Sequence, residues 1–305
     1  MKRAVSISIG SSTRNKVVEI ELLGEAIRLE RIGTDGDMEK AASLFKELDG
    51  KVDAFGVGGT VLGLMLDDQW HTLPSVQSMI RYVHKTPVVD GTGLKMTLER
   101  KAAAVVDEHL SNELANRNAL LISGVDRYGL TRSFIDAGYE CVIGDLMFAV
   151  GLPIAIRSDR SLKRIAAALI PVLGRIPFSW LYPTGEKQEV RTPKFGKYFA
   201  WASLVAGDCH YITHYMPDDM RGKVIVTNTT TPADRDLLRS CGVKYLVTTT
   251  PVLEGRSFGT NMMEAAIIAA LGRREAVDYA QSASYLQLMA QMVEELEMSP
   301  VIQEL

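Results

Sequence analysis

The chain has 305 residues, of which 47% are hydrophobic and 23% charged, which fits two globular domains and argues against disorder. Its net charge is −3 and its basic residues form no block, so no nucleic-acid partner is expected. The three cysteines lack paired spacing and no secretory leader precedes them, which predicts a cytoplasmic protein with reduced thiols. The longest apolar run, residues 166–173, is too short to span a bilayer, so no membrane contact is expected.

Residues 1–115 are predicted to form a mixed α/β domain, a possible substrate side. Three runs of β-forming residues, 4–9, 17–22 and 27–32, are separated by turn residues and predict a three-stranded meander. The polar segment 111–118 is the predicted domain boundary. The other predicted elements are a helix over 38–48 with Asp37 as its N-cap, a strand over 52–57, a hairpin over 61–73, a helix over 75–84, a strand over 87–89 and a long helix over 94–110.

Residues 116–305 are predicted to form a Rossmann-like, doubly wound parallel-sheet domain, because short strands alternate with helices. An irregular piece over 153–193 interrupts this pattern and holds a predicted helix over 162–173. The amphipathic segment 275–297 predicts a C-terminal helix that packs on its own domain or on a second copy, in a homodimer. The strands are predicted at 119–123, 140–143, 204–206, 224–227 and 245–247.

A nucleotide-binding pattern follows the first of these strands. A parallel-sheet nucleotide site needs an apolar strand, a Gly-rich turn that begins a helix, and an acidic residue about 20 residues further on. Here Gly124, Gly129 and Asp145 stand in those places. Asp126 occupies the position of the middle glycine and would repel a diphosphate unless it turns away or pairs with Arg127. The pattern predicts the fold, with NAD or NADP as the cofactor.

Polar residues follow each predicted strand of the second domain. In open α/β sheets ligands bind beyond the carboxyl ends of the strands, where hydroxyls, amides and helix N-termini can hold phosphates or a polyol. The same residue types are ordinary N-caps, which is the alternative for each cluster. Asn228, Thr229 and Thr249 join Gly124, Asp126, Gly129 and Asp145 as predicted cofactor-binding residues.

A second anion-binding element is predicted where a helix begins near residue 262. Two glycines, an arginine and a capping residue suit a carboxylate or phosphate, and a flexible loop with an ordinary cap is the alternative. The predicted substrate- or anion-binding residues are Arg256, Gly259, Thr260 and Asn261.

Lys95 and Asp90 are the predicted catalytic pair. A lysine beside a carboxylate in a partly dry cleft can exchange a proton with a substrate hydroxyl, and a cleft between two domains is where such a pair is useful. The alternative is a helix cap with a solvated lysine in the first turn. His210 and His214 share a helix face, but the segment ends at Met216 and Pro217, so no metal site is predicted.

Several motifs together resemble a bacterial group identified as quinate (or shikimate) 5-dehydrogenase-like. The resemblance implies a two-domain plan, a Lys/Asp pair formed by Lys95 and Asp90, and a turn near a nicotinamide at residues 248–251. The motifs are residues 32–38, 52–59, 89–95, 181–188 and 255–261.

The first domain also has a rival interpretation. Its predicted meander, with residues 9–13 between the first two strands, resembles the phosphate-binding start of actin-like sugar kinases. That family has an Asp on the first strand where this chain has Ser8.

The leading hypothesis is an oxidoreductase that transfers a hydride between a nicotinamide cofactor and a polyhydroxylated carboxylic acid of the quinate or shikimate type. Lys95 and Asp90 would handle the hydroxyl proton, and Arg256 would pair with a carboxylate or phosphate. Asp145 would accept hydrogen bonds from the adenosine ribose, which favours NAD. The alternative is a non-redox nucleotide- or metabolite-binding protein, or a transferase, on the same scaffold.

Overall fold

The computed structural model describes residues 1–67, 69–176, 191–250, 252–253 and 256–305. They divide into two compact units. The first unit holds residues 1–94, 169–176 and 259–296, and the second holds the described residues of 95–168, 191–258 and 297–305. No helix in these described ranges is both long and apolar enough to cross a membrane.

Both units contain strands and helices. The strands among the described residues are β1 (Lys2–Ser8), β2 (Lys16–Leu22), β3 (Glu25–Gly33), β4 (Ala54–Gly58), β5 (Gly63–Leu66), β6 (Gln69–Thr72), β7 (Val88–Val89), β8 (Asn118–Leu121), β9 (Glu140–Ile143), β10 (Leu204–Gly207), β11 (Val224–Thr227), β12 (Tyr245–Thr248), β13 (Val252–Leu253), β14 (Arg256–Ser257) and β15 (Val301–Glu304). The helices are α1 (Met38–Leu48), α2 (Pro74–Gln77), α3 (Thr92–Thr97), α4 (Ala102–Leu110), α5 (Tyr128–Asp136), α6 (Asp145–Phe148), α7 (Asp159–Leu173), α8 (Gly196–Trp201), α9 (Cys209–Tyr215), α10 (Pro232–Ser240), α11 (Thr260–Ala270) and α12 (Ser282–Glu295).

The first unit contains a five-stranded sheet with the order β2-β3-β1-β4-β7. β1 lies in the centre and pairs in parallel with β3 and β4, while β2 pairs antiparallel with β3 alone. The predicted meander is therefore wrong, and with it the strand arrangement behind the actin-like interpretation. β1 is buried over its last five residues, so it takes a central place between two parallel partners.

Helix α11 is a core element of the first unit. Ten of its eleven residues are buried, which is what a helix that is apolar on all sides requires. Asn261 holds it close to the sheet by donating from Nδ2 to Ser6 Oγ at 2.6 Å. Gly56 permits this approach, because a Cβ there would lie 2.8 Å from the Asn261 carbonyl oxygen.

The second unit contains a six-stranded sheet with the order β15-β12-β11-β10-β8-β9. Five strands are parallel and β15 pairs antiparallel with β12 at one edge. This confirms the predicted α/β class with a Rossmann-like parallel sheet. The chain moves from β8 outward to β9 and then returns to the other side of β8, so the topological switch point lies between β8 and β10.

Several predicted boundaries differ from the structure. The predicted division at residue 115 falls inside the second unit, because the chain leaves the first unit after Leu94 and rejoins it with α11 and α12. The predicted helix over 94–110 is interrupted by a 3₁₀ turn, Leu98–Lys101. The helix predicted over 275–297 is shorter and begins at Ser282. The motif at 181–188 and residue 255 lie outside the described residues.

Candidate functional site

The carboxyl edge of the second unit's sheet is the candidate site, because the polar residues that follow the strands gather there. Lys95 Nζ lies 2.8 Å from Asp126 Oδ1. The Lys95 side chain is only 8% exposed, whereas that of Asp126 is 35% exposed. A little-exposed ammonium thus contacts a carboxylate that a ligand can reach.

Lys95 was predicted to pair with Asp90, but in the structure each of the two side chains contacts other residues. Asp126 is the ion-pair partner of Lys95. The Asp90 carboxylate accepts hydrogen bonds from the Leu62 amide at 2.7 Å and from the Thr92 amide at 3.0 Å. Asp90 therefore organises a turn, as the capping alternative holds. The counter-charge of Asp126 is Lys95, where the sequence suggested Arg127.

Arg127 is buried between two carboxylates behind this pair. Its guanidinium donates to Glu99 and, at 3.2 Å, to Asp208 Oδ2. Burial lowers the pKa of Arg127, but the charges of Glu99 and Asp208 outweigh burial and raise it above its ordinary value. Burial raises the pKa of Asp208, but Arg127 and, after it, His210 lower it by more, so the pKa of that carboxyl lies below its ordinary value. The result is a fixed ionic network under the edge of the sheet.

The network extends to the ends of β11 and β12. Asn228 Nδ2 donates to Asp208 Oδ2 at 3.0 Å, and the buried Thr249 hydroxyl donates to Glu99 Oε1 at 3.3 Å. Glu99 Oε2 and Arg127 Nε are buried without a hydrogen-bond partner in the described part of the chain. Thr249 and Asn228 were predicted to bind a cofactor, and both side chains here hold other residues in place.

The carboxylate of Asp145 lies against the turn that follows β8, the first strand of this sheet in chain order. Its two carboxylate oxygens accept hydrogen bonds from the Gly124 and Val125 amides, each at 2.9 Å. Burial raises the pKa of Asp145 to about 6, against the lowering effect of those two amides. The sequence predicted that Gly124, in the phosphate-binding turn, binds a cofactor and that Asp145 accepts from a ribose. In the structure an internal carboxylate stands where the pyrophosphate was expected.

The two glycines of the predicted nucleotide motif have packing roles. A Cβ on Gly129 would lie 1.9 Å from the Lys95 carbonyl oxygen, so only glycine lets α5 approach that close. A Cβ on Gly124 would lie 2.4 Å from Ile143 Cγ2 and 2.8 Å from Asp145 Oδ2. These close contacts account for the glycine at each of the two positions, so neither glycine requires a bound ligand to explain it.

Two of the polar clusters at the strand ends are helix caps, which was the alternative considered for each. Asp208 accepts from the His210 amide at 3.0 Å at the start of α9. Thr231 forms a reciprocal capping box with Asp234 at the start of α10. Thr229 is partly exposed beside them, and its role in cofactor binding stays a prediction.

The second predicted anion element contains residues from both units. In the first unit, Gly259 is the N-cap residue of α11, Thr260 is buried, and Asn261 bonds to Ser6 as described above. The side chain of Arg256 lies outside the described residues, so its role stays a prediction. Among the described residues no group of three or more His, Cys, Asp or Glu side chains could hold a metal ion.

A buried carboxyl in the first unit was missed by the sequence reasoning. Glu264 Oε1 accepts from the hydroxyls of Tyr279 at 2.9 Å and Tyr285 at 2.7 Å, and Oε2 accepts from the Leu94 amide at 2.9 Å. Burial, followed by the nearby charge of Asp90, raises the pKa of Glu264 to about 7. The signal was present in the sequence, because Glu264 is the charged residue in a run, residues 262–270, that is otherwise apolar.

The strand order, the switch point and the polar carboxyl edge place the second unit in the class of Rossmann-like parallel α/β domains. The chain belongs to the family described as a domain of unknown function (DUF8754), whose model matches residues 93–305. Residues 3–90 match a second domain of unknown function (DUF8753). No curated protein matches the sequence.

Solved structures with slight similarity span most of the chain. A Mycobacterium smegmatis protein in complex with β-D-fucofuranose is 14% identical, with a TM-score of 0.34, covering 100% of this chain and 99% of that one. Entamoeba histolytica malic enzyme is 10% identical, with a TM-score of 0.38, covering 97% of this chain and 63% of that one. The NAD-dependent malic enzyme of Thermotoga maritima is 12% identical, with a TM-score of 0.36 and coverages of 90% and 73%. Scores this low indicate no function.

Proposed function

We propose that the second unit carries out proton transfer on a hydroxylated small molecule, with Lys95 as the acid–base group and Asp126 as its partner. The observation that carries the proposal is the 2.8 Å pair between a little-exposed ammonium and a reachable carboxylate. An ammonium in this position can donate a proton to a substrate oxygen, and the carboxylate orients the ammonium. Asp126 thus replaces Asp90 in the predicted pair.

The surrounding network supports this assignment. Glu99, Arg127 and Asp208 are linked by charge-assisted hydrogen bonds directly behind the pair. A buried, mutually bonded set of side chains holds its neighbours in one geometry, which proton transfer between positioned groups requires. The specific substrate class that we propose is a polyhydroxylated carboxylic acid of the quinate or shikimate type, and it rests on the family resemblance.

Hydride transfer to a nicotinamide cofactor is the second candidate. The switch point between β8 and β10 favours it, because dinucleotides bind at such points in parallel sheets. NAD or NADP would supply the hydride acceptor. The first turn as folded does not fit their pyrophosphate, since Asp145 holds the amides of Gly124 and Val125.

Substitution of Lys95 tests the first proposal. With NAD or NADP supplied as the hydride acceptor, Lys95→Ala should lower the rate of quinate or shikimate oxidation by roughly 10²–10⁴-fold, with little change in the affinity for the acid measured by calorimetry. Lys95→Arg keeps the charge but does not release a proton near neutral pH, so it should be inactive and normally stable. Lys244→Ala, on the surface, is the matched control. Unchanged turnover in Lys95→Ala contradicts the assignment, and failure of the wild type to bind either acid contradicts the substrate class.

Substitution of Asp145 separates the two candidates. If its carboxylate occupies the pyrophosphate position, Asp145→Ala frees two amides and removes a negative charge. NAD and NADP should then bind more tightly to Asp145→Ala than to the wild type, with Asp136→Ala as a surface control. Tight binding of either dinucleotide to the wild type would show instead that the turn accommodates a cofactor as it stands.

A further inference from the structure

Arg31, on β3 of the first unit, is a half-buried cation without a carboxylate partner. Its Nη1 donates to the Ser11 carbonyl oxygen and its Nη2 to Ser8 Oγ, each at 3.0 Å. No carboxylate oxygen in the described part of the chain lies within ion-pair distance of it. Arg28, on the same strand, does have such a partner, Glu30 at 2.8 Å. A guanidinium has five N–H donors, so three of those in Arg31 remain for another acceptor.

The backbone around this guanidinium is shaped by glycines. A Cβ on Gly10 would lie 3.0 Å from Arg31 Nη2 and 3.2 Å from Ser8 Oγ. Gly59 has φ +72°, and a Cβ there would lie 2.9 Å from the Gly10 amide nitrogen. The amide of Gly59 donates to no acceptor among the described residues. This backbone N–H group lies beside Ser8 and Gly10, the residues that surround the guanidinium, at the carboxyl ends of β1 and β4.

The local charge favours an anion. Burial, and then the charge of Arg14, lowers the pKa of Arg31 to about 10, which leaves it protonated at neutral pH. Asp35, whose negative charge acts on Arg31, also accepts a hydrogen bond from the Ser12 amide through Oδ1 at 2.7 Å. A guanidinium that has no ion-pair partner gains from an incoming oxyanion.

We propose that the carboxyl edge of the first unit's sheet binds a small oxyanion, a phosphate group or a carboxylate, through Arg31 and the amide of Gly59. The fork of a guanidinium matches two oxygens of either group, and the glycines let the backbone come close. This site is separate from the proton-transfer site in the second unit. It is a binding site for the charged group of a metabolite, and its existence does not depend on what Lys95 does.

Calorimetric titration and thermal unfolding test the site, with inorganic phosphate and acetate as probes and sodium chloride at matched ionic strength. Saturable binding, with a rise in melting temperature, is expected for at least one probe. A response to phosphate alone identifies a phosphate group as the ligand, and a response to both probes identifies an oxyanion site that also takes carboxylates. Arg31→Met should weaken binding by about tenfold or more, since a charge-assisted hydrogen bond is lost. Arg28→Met is the matched control on the same strand and should bind as the wild type does.

Two outcomes would overturn the proposal. One is a wild-type protein that neither probe stabilises beyond sodium chloride, and the other is an Arg31→Met variant, folded by circular dichroism, with wild-type affinity. If Arg31→Met does not fold, Gly10→Ala takes its place, because the new methyl group presses on the guanidinium and should weaken binding. Lys95→Ala should leave phosphate binding unchanged, so the two proposals fail independently.

Discussion

At the scale of single residues, Glu264 illustrates how burial changes what a carboxyl does. Two tyrosine hydroxyls and one backbone amide donate to it inside the first unit. Those donors would lower its pKa, yet removal from water and the charge of Asp90 dominate. The neutral form is therefore favoured in the folded protein up to about pH 7.

This raised pKa predicts a pH-dependent stability. Because the pKa of Glu264 rises from 4.5 to about 7 on folding, its contribution is complete below pH 4.5 and is lost as the pH rises towards 7. The loss amounts to as much as about 3 kcal/mol. Glu264→Gln should remove this pH dependence of the free energy of unfolding between pH 4.5 and about 7, measured by urea denaturation at several pH values. Glu275→Gln, on the surface, should keep the wild-type slope, and an equally steep slope in Glu264→Gln would contradict the assignment.

At the scale of elements, the sequence predicted what local rules determine. Helix α1 spans Met38–Leu48 with Asp37 as its cap, as predicted, because apolar spacing and a capping aspartate specify it. β9 and β11 also have their predicted bounds. The order β2-β3-β1 was missed, because the pairing of β1 with β3 is a long-range choice that alternation of β-formers does not encode.

The site shows the same division between local and long-range information. The sequence placed polar residues at the carboxyl edge, since their position after each strand is a local property. It paired Lys95 with Asp90, whereas the structure pairs it with Asp126, 31 positions along the chain. Proximity in sequence favoured Asp90, whereas the close packing of α5 against the chain at Lys95 brings Asp126 to it.

The approach of α5 to Lys95 gives a prediction for a whole element. Gly129→Ala would place a Cβ 1.9 Å from the Lys95 carbonyl oxygen, which must displace the helix. Overpacking of this kind costs about 1–3 kcal/mol or more, and urea unfolding should show it. Gly196→Ala, in the first turn of α8, meets no atom within 4 Å and should be neutral or slightly stabilising. Equal stabilities of the two variants would mean that α5 does not pack this closely.

At the scale of the molecule, the first unit is built from separate stretches of chain. Residues 1–94 supply its sheet, and α11 from residues 260–270 is buried in it. The predicted domain, residues 1–115, therefore lacks a central element of its own core. The residues that make up this unit could not be inferred from a single boundary in the sequence, because the chain leaves the unit after Leu94 and returns to it later.

A fragment of residues 1–115 should consequently fail to fold. Without α11, the buried face of the sheet around Ser6 and Gly56 loses its cover. The expected result is a fragment without a cooperative thermal transition by circular dichroism, while the full chain unfolds cooperatively. A sharp transition in the fragment would show that the sheet is stable without this helix.

The late position of α11 has a consequence for biosynthesis. A ribosome releases the chain from its N-terminus, so β1, β3 and β4 emerge while the residues that cover them have not yet been translated. Roughly two hundred codons separate β4 from α11, a delay of about 10–40 s at ordinary elongation rates. During that interval the apolar face formed by β1, β3 and β4 has no helix to cover it. This makes the protein a candidate for early chaperone engagement.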